Sequence, residues 1–138
     1  MTKKIFLDTN IFLRFFVADD LKSHTETANL FLRFKVGKLI PYTSNMVMSE
    51  LIYVLIKIYK QPKQEVLNKI STLLKIRNLI LIEKTNTHAA LELYQNLNIK
   101  LGDCLIATQI PKGVVLCTYD EDFKKVPGLI SKRPHEII

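Results

Sequence analysis

The chain has 138 residues, 48% of them hydrophobic, with twenty Lys and Arg residues against thirteen Asp and Glu residues and a formal net charge of +7. This length and apolar content exclude a disordered chain, and residues 1–138 are expected to form a single domain. No apolar run reaches the roughly eighteen residues of a membrane span, and the first residues lack a signal-peptide pattern, so a cytoplasmic location is expected.

Hydrophobic periodicity predicts strands that alternate with helices. Strands are predicted near residues 5–7, 39–43, 79–82 and 114–118, and the tail allows a weak edge strand. Helices are predicted near residues 11–16, 23–36, 45–59, 62–76, 89–97 and 102–110. This alternation predicts an α/β fold with a central parallel sheet flanked by helices on both faces.

Three local patterns refine this outline. Ser23 and Glu26 have the spacing of a capping box, which places a helix start at Ser23. Pro41 lacks a backbone N–H donor, so it favours an edge strand or a strand end for residues 39–43. The continuous apolar run at residues 79–82 predicts a buried strand.

Two acidic residues follow predicted strands directly. Asp8 comes after the apolar residues 5–7, and Asp120 comes just beyond the strand that ends at Thr118. In open α/β sheets, ligands bind beyond the carboxyl ends of the strands. Each acid also has an ordinary explanation, because Asp8 is a good helix cap and Asp120 is a common turn residue.

Two further acids lie near predicted helix starts on apolar stripes. Glu50 shares a helical face with Val47, Leu51 and Val54, and Asp103 begins a stripe of inward-facing aliphatic residues. An ordinary solvent-facing acid and an ordinary N-terminal helix acid are the alternatives. In a parallel α/β sheet, the positions of all four acids lie at one edge.

Four carboxylates this close would repel one another and partly protonate unless cations compensate them. Hard oxygen ligands suit Mg²⁺ or Mn²⁺, which can activate a water molecule and stabilise the oxygens of a displacement at phosphorus. With these four acids set aside, twenty basic residues face nine acidic ones. Such a basic surface suits a polyanion bound through its phosphates.

Cysteine and histidine residues do not indicate a zinc or thiol site. Cys104 and Cys117 are the only cysteines, and His24, His88 and His135 are scattered singly without ligand spacing. Buried thiols and ordinary imidazoles are therefore expected.

The four acidic motifs together resemble those of the PIN domain family, and within it the VapC ribonuclease toxins of toxin–antitoxin pairs. The motifs are Leu7-Asp8-Thr9-Asn10, Ser49-Glu50, Gly102-Asp103-Cys104-Leu105-Ile106-Ala107 and Thr118-Tyr119-Asp120-Glu121-Asp122-Phe123. Their order and separations fit as well, and the resemblance covers essentially the whole chain.

The resemblance implies a role for each motif. The metal-binding acids would be Asp8, Glu50, Asp103 and Asp120, with Asp122 as the substitute for Asp120. The side chains that orient these acids or the metal-bound water would be Thr9, Asn10 and Thr118. The resemblance also implies hydrolysis of RNA phosphodiester bonds with Mg²⁺ or Mn²⁺, a homodimer, and a cognate antitoxin whose C-terminal segment occupies the active-site groove.

Two other functions remain open at this point. A non-catalytic RNA-binding or complex-assembly module could share the fold and use its lysine and arginine residues for phosphate contacts. A phosphatase or phosphoacceptor domain is less favoured. Such domains usually carry a second acid close to the aspartate of the first strand, whereas here the residue two positions after Asp8 is the amide Asn10. The broad apolar run at residues 51–56 is wider than one buried helix face and separately predicts a dimer.

Overall fold

The structure is a computed structural model that describes residues 2–137. The strands are β1 (Lys3–Leu7), β2 (Leu39–Ser44), β3 (Ile80–Ile82), β4 (Val115–Cys117) and β5 (Ser131–Lys132). The helices are α1 (Thr9–Phe16), α2 (Leu21–Lys35), α3 (Asn45–Lys57), α4 (Lys63–Leu73), α5 (Thr87–Asn96), α6 (Leu101–Gln109) and α7 (Pro134–Ile137). A 3₁₀ turn, Glu121–Lys125, follows β4.

The five strands form one parallel sheet with the order β3-β2-β1-β4-β5. Crossovers between parallel strands are right-handed. This rule puts α1 to α4, which connect β1, β2 and β3, on one face, and α5 and α6, which return to β4, on the other. The sheet and its helices confirm the predicted α/β class.

The core surrounds β1, the central strand. Ile5, Phe6 and Leu7 are fully buried because strands flank β1 on both sides and helices cover the sheet. Phe12 from α1 and Leu51 from α3 are also fully buried. Burial of each such side chain contributes on the order of 1.5–3 kcal/mol to folding. The strand that leads into Asp8 is thus held rigidly.

The position of β2 differs from the prediction drawn from Pro41. This strand lies inside the sheet, between β1 and β3. Pro41 pairs with Ile5 of β1, but pairing with β3 begins only at Tyr42. Because the short β3 does not reach Pro41, the sheet has an edge at this residue although the strand as a whole is internal.

The prediction that the third strand is buried is wrong. Ile80 is 40% exposed, and Leu81 and Ile82 are half-buried, because β3 is an edge strand of the sheet. An apolar run alone does not distinguish an edge strand from a central one.

The predicted capping box at Ser23 is wrong. Helix α2 begins at Leu21 with Asp20 as its N-cap residue, and Ser23 lies inside the first turn. The Ser23 hydroxyl donates to Asp20 Oδ2 at 2.5 Å, so the two side chains close this helix start together.

No helix within residues 2–137 is long and apolar enough to cross a membrane.

Candidate active site

Asp8 caps helix α1 and also lies at the carboxyl end of β1. Its Oδ1 accepts a hydrogen bond from the Thr9 backbone N–H at 2.8 Å, and its Oδ2 accepts one from the Thr118 hydroxyl at 2.7 Å. The residue is only 4% exposed. Capping and membership of an acidic site therefore coexist in one side chain, whose two oxygens are fixed in orientation.

Thr118 connects two of the acidic motifs. Strand pairing places Leu7 beside Cys117, so the residues that follow β1 and β4 are neighbours. The Thr118 Oγ1 donates to Asp8 and accepts a hydrogen bond from the Asp120 backbone N–H at 2.9 Å. This hydroxyl holds the segments that carry Asp8 and Asp120 against each other.

Asp103 lies in the first turn of α6 and is 8% exposed. Burial first, and then the negative charges of Asp8, Asp120 and Glu50, together raise the pKa of its carboxyl group to about 7. Lys100 lowers the pKa and only partly offsets the repulsion. No hydrogen bond within residues 2–137 reaches this carboxylate. When Asp103 is ionised, the described part of the chain therefore offsets its charge only in part.

Asp8 shows the same conflict. Burial and, to a smaller extent, the charges of Glu50 and Asp120 together raise its pKa to about 6, against the lowering effect of the hydrogen bonds from Thr118 and Thr9. The four predicted acids therefore lie close enough to act on one another electrostatically. Their mutual repulsion is a property of a site that attracts cations.

Glu50 does not face inward as the helical stripe predicted. The buried residues of α3 are Val47, Met48, Leu51 and Leu55, whereas Glu50 lies on an exposed part of the helix. Its charge nevertheless raises the pKa values of Asp8 and Asp103. Glu50 is at the rim of the acidic cluster rather than within it.

The structure separates the two candidates for the fourth acid. Asp120 contributes its charge to both Asp8 and Asp103. Asp122 instead pairs with Lys125 at 3.2 Å, within the 3₁₀ turn. The Asp120 Oδ1 also accepts the Asp122 backbone N–H at 2.9 Å, which keeps the turn closed around it. Of the two, Asp120 is therefore the one whose charge acts on Asp8 and Asp103.

Thr9 and Asn10 begin α1 beside these acids. The Thr9 hydroxyl oxygen is buried and has no hydrogen-bond partner in the structure, and Asn10 is half-buried. An unpaired buried hydroxyl next to a carboxylate is unusual in a folded protein. A bound cation with its water molecules would provide the missing partner.

The donors present suit a hard divalent cation. The carboxylates and hydroxyls of the site supply only oxygen atoms as ligands. The negative charge of the carboxylates is offset only in part by the surrounding residues. In the described part of the chain, no three acidic, histidine or cysteine side chains come together closely enough to hold a metal ion as they stand. Of the four predicted acids, Glu50 is the one that is exposed.

Sequence reasoning missed a clasp between the two helices that carry acids. Gln109 at the end of α6 is buried, and its Nε2 donates to Asn45 Oδ1 at the start of α3 at 2.9 Å. Asn45 in turn donates to the Glu83 carbonyl at 3.1 Å. The sequence marks residue 45 only as the start of a predicted helix, and no spacing pattern singles out Gln109.

Two buried cysteines lie near the site without a visible chemical role. Cys104 and Cys117 are free thiols. Burial raises the pKa of both, and the charge of Asp103 adds to this for Cys104. Both thiols therefore stay protonated, as expected of packing residues.

Comparisons with known proteins agree with this architecture. The PIN domain family model matches residues 5–129. The crystal structure of VapBC2 from Rickettsia felis, bound to a DNA fragment from its promoter, contains a chain with a TM-score of 0.69 and 25% identity, covering 94% of this chain and 98% of that one. No curated protein sequence matches the chain significantly.

Two further solved structures share the fold. Mycobacterium tuberculosis VapC20, a toxin that cleaves the sarcin–ricin loop, has a TM-score of 0.68 and 17% identity over 87% of this chain and 92% of its own. VapBC-1 from nontypeable Haemophilus influenzae has a TM-score of 0.67 and 19% identity over 96% and 98%. With its fold, its four acidic motifs and the family match over residues 5–129, the chain belongs to the PIN domain family, and its structural neighbours are VapC toxins.

Proposed function

We propose that this protein is a metal-dependent endoribonuclease and the toxin of a toxin–antitoxin pair. The observation that carries the proposal is the group of mutually repelling acids at the carboxyl edge of the sheet, where Asp8 and Asp103 have raised pKa values. The PIN and VapC families are ribonuclease families, and the chain's net charge of +7 favours a polyanionic substrate.

Each residue of the cluster has a distinct part in this proposal. Asp8, Asp103, Asp120 and Glu50 would hold Mg²⁺ or Mn²⁺. The chemistry that such an ion would supply is a lower pKa for a water molecule and compensation of the charge on the phosphodiester. Thr118 and the Thr9 N–H keep Asp8 in a fixed orientation. The Thr9 hydroxyl and Asn10 would orient water beside the acids.

RNA cleavage by antitoxin-free protein tests the proposal. Structured RNAs incubated with Mg²⁺ or Mn²⁺ should be cut at discrete positions, and EDTA should stop the reaction. Asp8→Asn and Asp103→Asn should each abolish cleavage, while Glu65→Gln, which makes the same charge change on the exposed face of α4, should not.

Cleavage that survives both aspartate substitutions would contradict the proposal. No cleavage together with no binding of Mn²⁺ would favour the alternative function, a non-catalytic RNA-binding or assembly module on the same fold. This alternative has no observation of its own in the structure.

An aromatic groove supports the antitoxin as partner. Phe15, Phe16 and Phe31 line a cavity of about 430 Å³ between α1, α2 and α4, and the Phe15 and Phe31 rings lie 4.5 Å apart between centroids. Lys75 and Arg77 are at its rim. An apolar helix with acidic residues would bury these rings and pair with the rim. Two of the structural neighbours are VapBC complexes.

Coexpression with the product of a short neighbouring gene tests this partner. We expect a stable complex that Phe31→Glu disrupts. Leu91→Glu places the same charge on an exposed apolar position of α5 and should leave the complex intact. Equal loss in both variants would argue against the groove as the binding surface.

A homodimer is also part of the proposal. Leu51 and Leu55 of α3 are buried in the core of the subunit. On the same segment, Tyr53 is 60% exposed and Ile58 is 64% exposed. The fold of one subunit does not require apolar side chains at these exposed positions, so they favour a contact surface with a second copy of the chain.

A further inference from the structure

A cavity next to the candidate active site has no role in the function proposed above. Its volume is about 210 Å³, and it lies between the end of α1, the start of α2 and the segment that follows β4. Arg14, Glu26, Tyr119 and Arg133 are among its lining residues. Unlike the aromatic groove, this cavity is lined mainly by charged and hydrogen-bonding side chains.

The path of the chain connects this cavity to the acids. Tyr119 lies between Thr118, which binds Asp8, and Asp120, yet its hydroxyl contacts Glu26 on α2. Arg14 lies five residues after Thr9 on α1, about 7–8 Å along the helix axis at about 1.5 Å per residue. Arg133 lines both this cavity and the narrow cleft that contains Thr118 and Asp120. Tyr119, which adjoins Thr118 and Asp120 in the chain, and Arg133, which lines the cleft with them, therefore border this cavity as well.

Glu26 supplies a hydrogen-bond acceptor that the protein does not use fully. Its side chain is only 17% exposed. Its Oε2 accepts from the Tyr119 hydroxyl at 3.2 Å and lies 3.6 Å from His135 Nδ1. Within residues 2–137, no hydrogen bond reaches Oε1. This partly exposed carboxylate oxygen can accept a hydrogen bond from a ligand.

Arg14 supplies donors to the same cavity. Its Nη1 makes one long contact, 3.4 Å to Asp19 Oδ1, in an ion pair whose side chains are 41% and 50% exposed. Most of the five N–H donors of the guanidinium therefore remain available. The cavity offers a carboxylate acceptor and a guanidinium donor, and the Tyr119 ring provides an aromatic surface.

Guanine complements this combination. Its N1–H and N2 amino groups are adjacent donors that one carboxylate can accept, and its O6 and N7 atoms accept two bonds from an arginine. Adenine, cytosine and uracil lack the adjacent pair of N–H donors. Single-stranded RNA is commonly read in this way, by edge hydrogen bonds together with stacking on an aromatic ring.

We propose that this cavity binds a guanine base that flanks the cleaved phosphodiester, with Glu26 reading its N–H edge and Arg14 its O6 and N7 edge. The inference rests on the proposed ribonuclease function and names the base that directs cleavage. The contacts to the base would select the position of cleavage, and the acids at the sheet edge would take no part in choosing the base.

Sequencing the ends released from hairpin RNAs with randomised loops will reveal the preferred flanking base. Matched substrates then carry guanosine, inosine, 7-deazaguanosine or adenosine at that position. We expect kcat/KM for guanosine to exceed that for adenosine by about tenfold or more. Inosine, which lacks the N2 amine, should lie between them.

Glu26→Gln should reduce the ratio between guanosine and adenosine below about threefold, because an amide offers one acceptor oxygen in place of two. Glutamine can still accept from the Tyr119 hydroxyl, so the fold is retained. Glu65→Gln, an exposed match for the charge change, should keep the full ratio. Arg14→Gln should lose the distinction between guanosine and 7-deazaguanosine.

Two results would overturn the inference alone: cleavage that is indifferent to the flanking base, or a guanine preference that persists in Glu26→Gln. Protein that cleaves no RNA at all would remove the proposed function, and this inference would fall with it. The two failures are thus distinguishable in one set of reactions.

Discussion

Replacing Asp103 with asparagine should stabilise the metal-free protein at alkaline pH. Burial and the charges of Asp8, Asp120 and Glu50 raise the pKa of Asp103 from 3.8 to about 7. The native state therefore retains a proton between about pH 4 and pH 7 that the unfolded chain has lost. The stability contributed by this proton is present below pH 4 and is lost as the pH rises to about 7.

The pKa of Asp103 sets the size of the effect. A rise from 3.8 to about 7 corresponds to about 4 kcal/mol at pH 8 if the whole cost falls on this group. Asp103 shares the repulsion with its neighbours, and its carboxylate keeps contact with solvent and salt. We therefore expect a gain of about 1–2 kcal/mol, or roughly 3–8 °C in Tm.

Thermal unfolding in EDTA at pH 5 and pH 8 measures this difference. Asp103→Asn should melt above the wild type at pH 8 and close to it at pH 5, where Asp103 is protonated. Glu65→Gln, on the exposed face of α4, should change Tm little at either pH. With saturating Mn²⁺ the order should reverse, because only the wild type gains full binding energy. Equal or lower stability of Asp103→Asn at pH 8 without metal would refute the reasoning.

Three further predictions concern the hydroxyl link, the fourth acid and the dimer. Thr118→Val removes the 2.7 Å hydrogen bond to Asp8 and should cost about 1–3 kcal/mol in urea unfolding as well as most RNA cleavage, whereas Thr118→Ser should retain both. Asp120→Asn should weaken Mn²⁺ binding more than about tenfold, while Asp122→Asn should not; the opposite order would make Asp122 the ligand. Tyr53→Lys should convert a dimer to a monomer in sedimentation velocity, and a wild type that is monomeric at all concentrations would exclude the dimer.

Local patterns predicted most of the fold because strand and helix periods differ. The alternation of strands and helices, the strand that leads to Asp8 and the helix near residues 45–59 are all present. Two of the errors arose where long-range contacts decide the outcome. Pro41 is compatible with an internal strand only because β3 is short, and residues 80–82 are half-exposed only because β3 ends the sheet. Neither fact is encoded in the local sequence.

The candidate site was predictable to a similar extent. The carboxyl-edge rule for parallel sheets locates Asp8, Asp103 and Asp120 together, since it depends only on chain direction. The exposure of Glu50 was not predictable. A helix that is apolar on nearly all sides does not show in its sequence which face packs against the core. The clasp between Asn45 and Gln109 joins residues 64 positions apart and depends on how α3 and α6 pack.

Binding of Mn²⁺ to purified, antitoxin-free protein tests the central claim most directly, since electron paramagnetic resonance reports the free ion without any need to know the RNA. The account predicts binding by the wild type and by Glu65→Gln, and a loss of more than about tenfold in affinity in Asp8→Asn and in Asp103→Asn. Affinity that is the same in all four proteins would contradict a metal site built from the acids at this edge of the sheet.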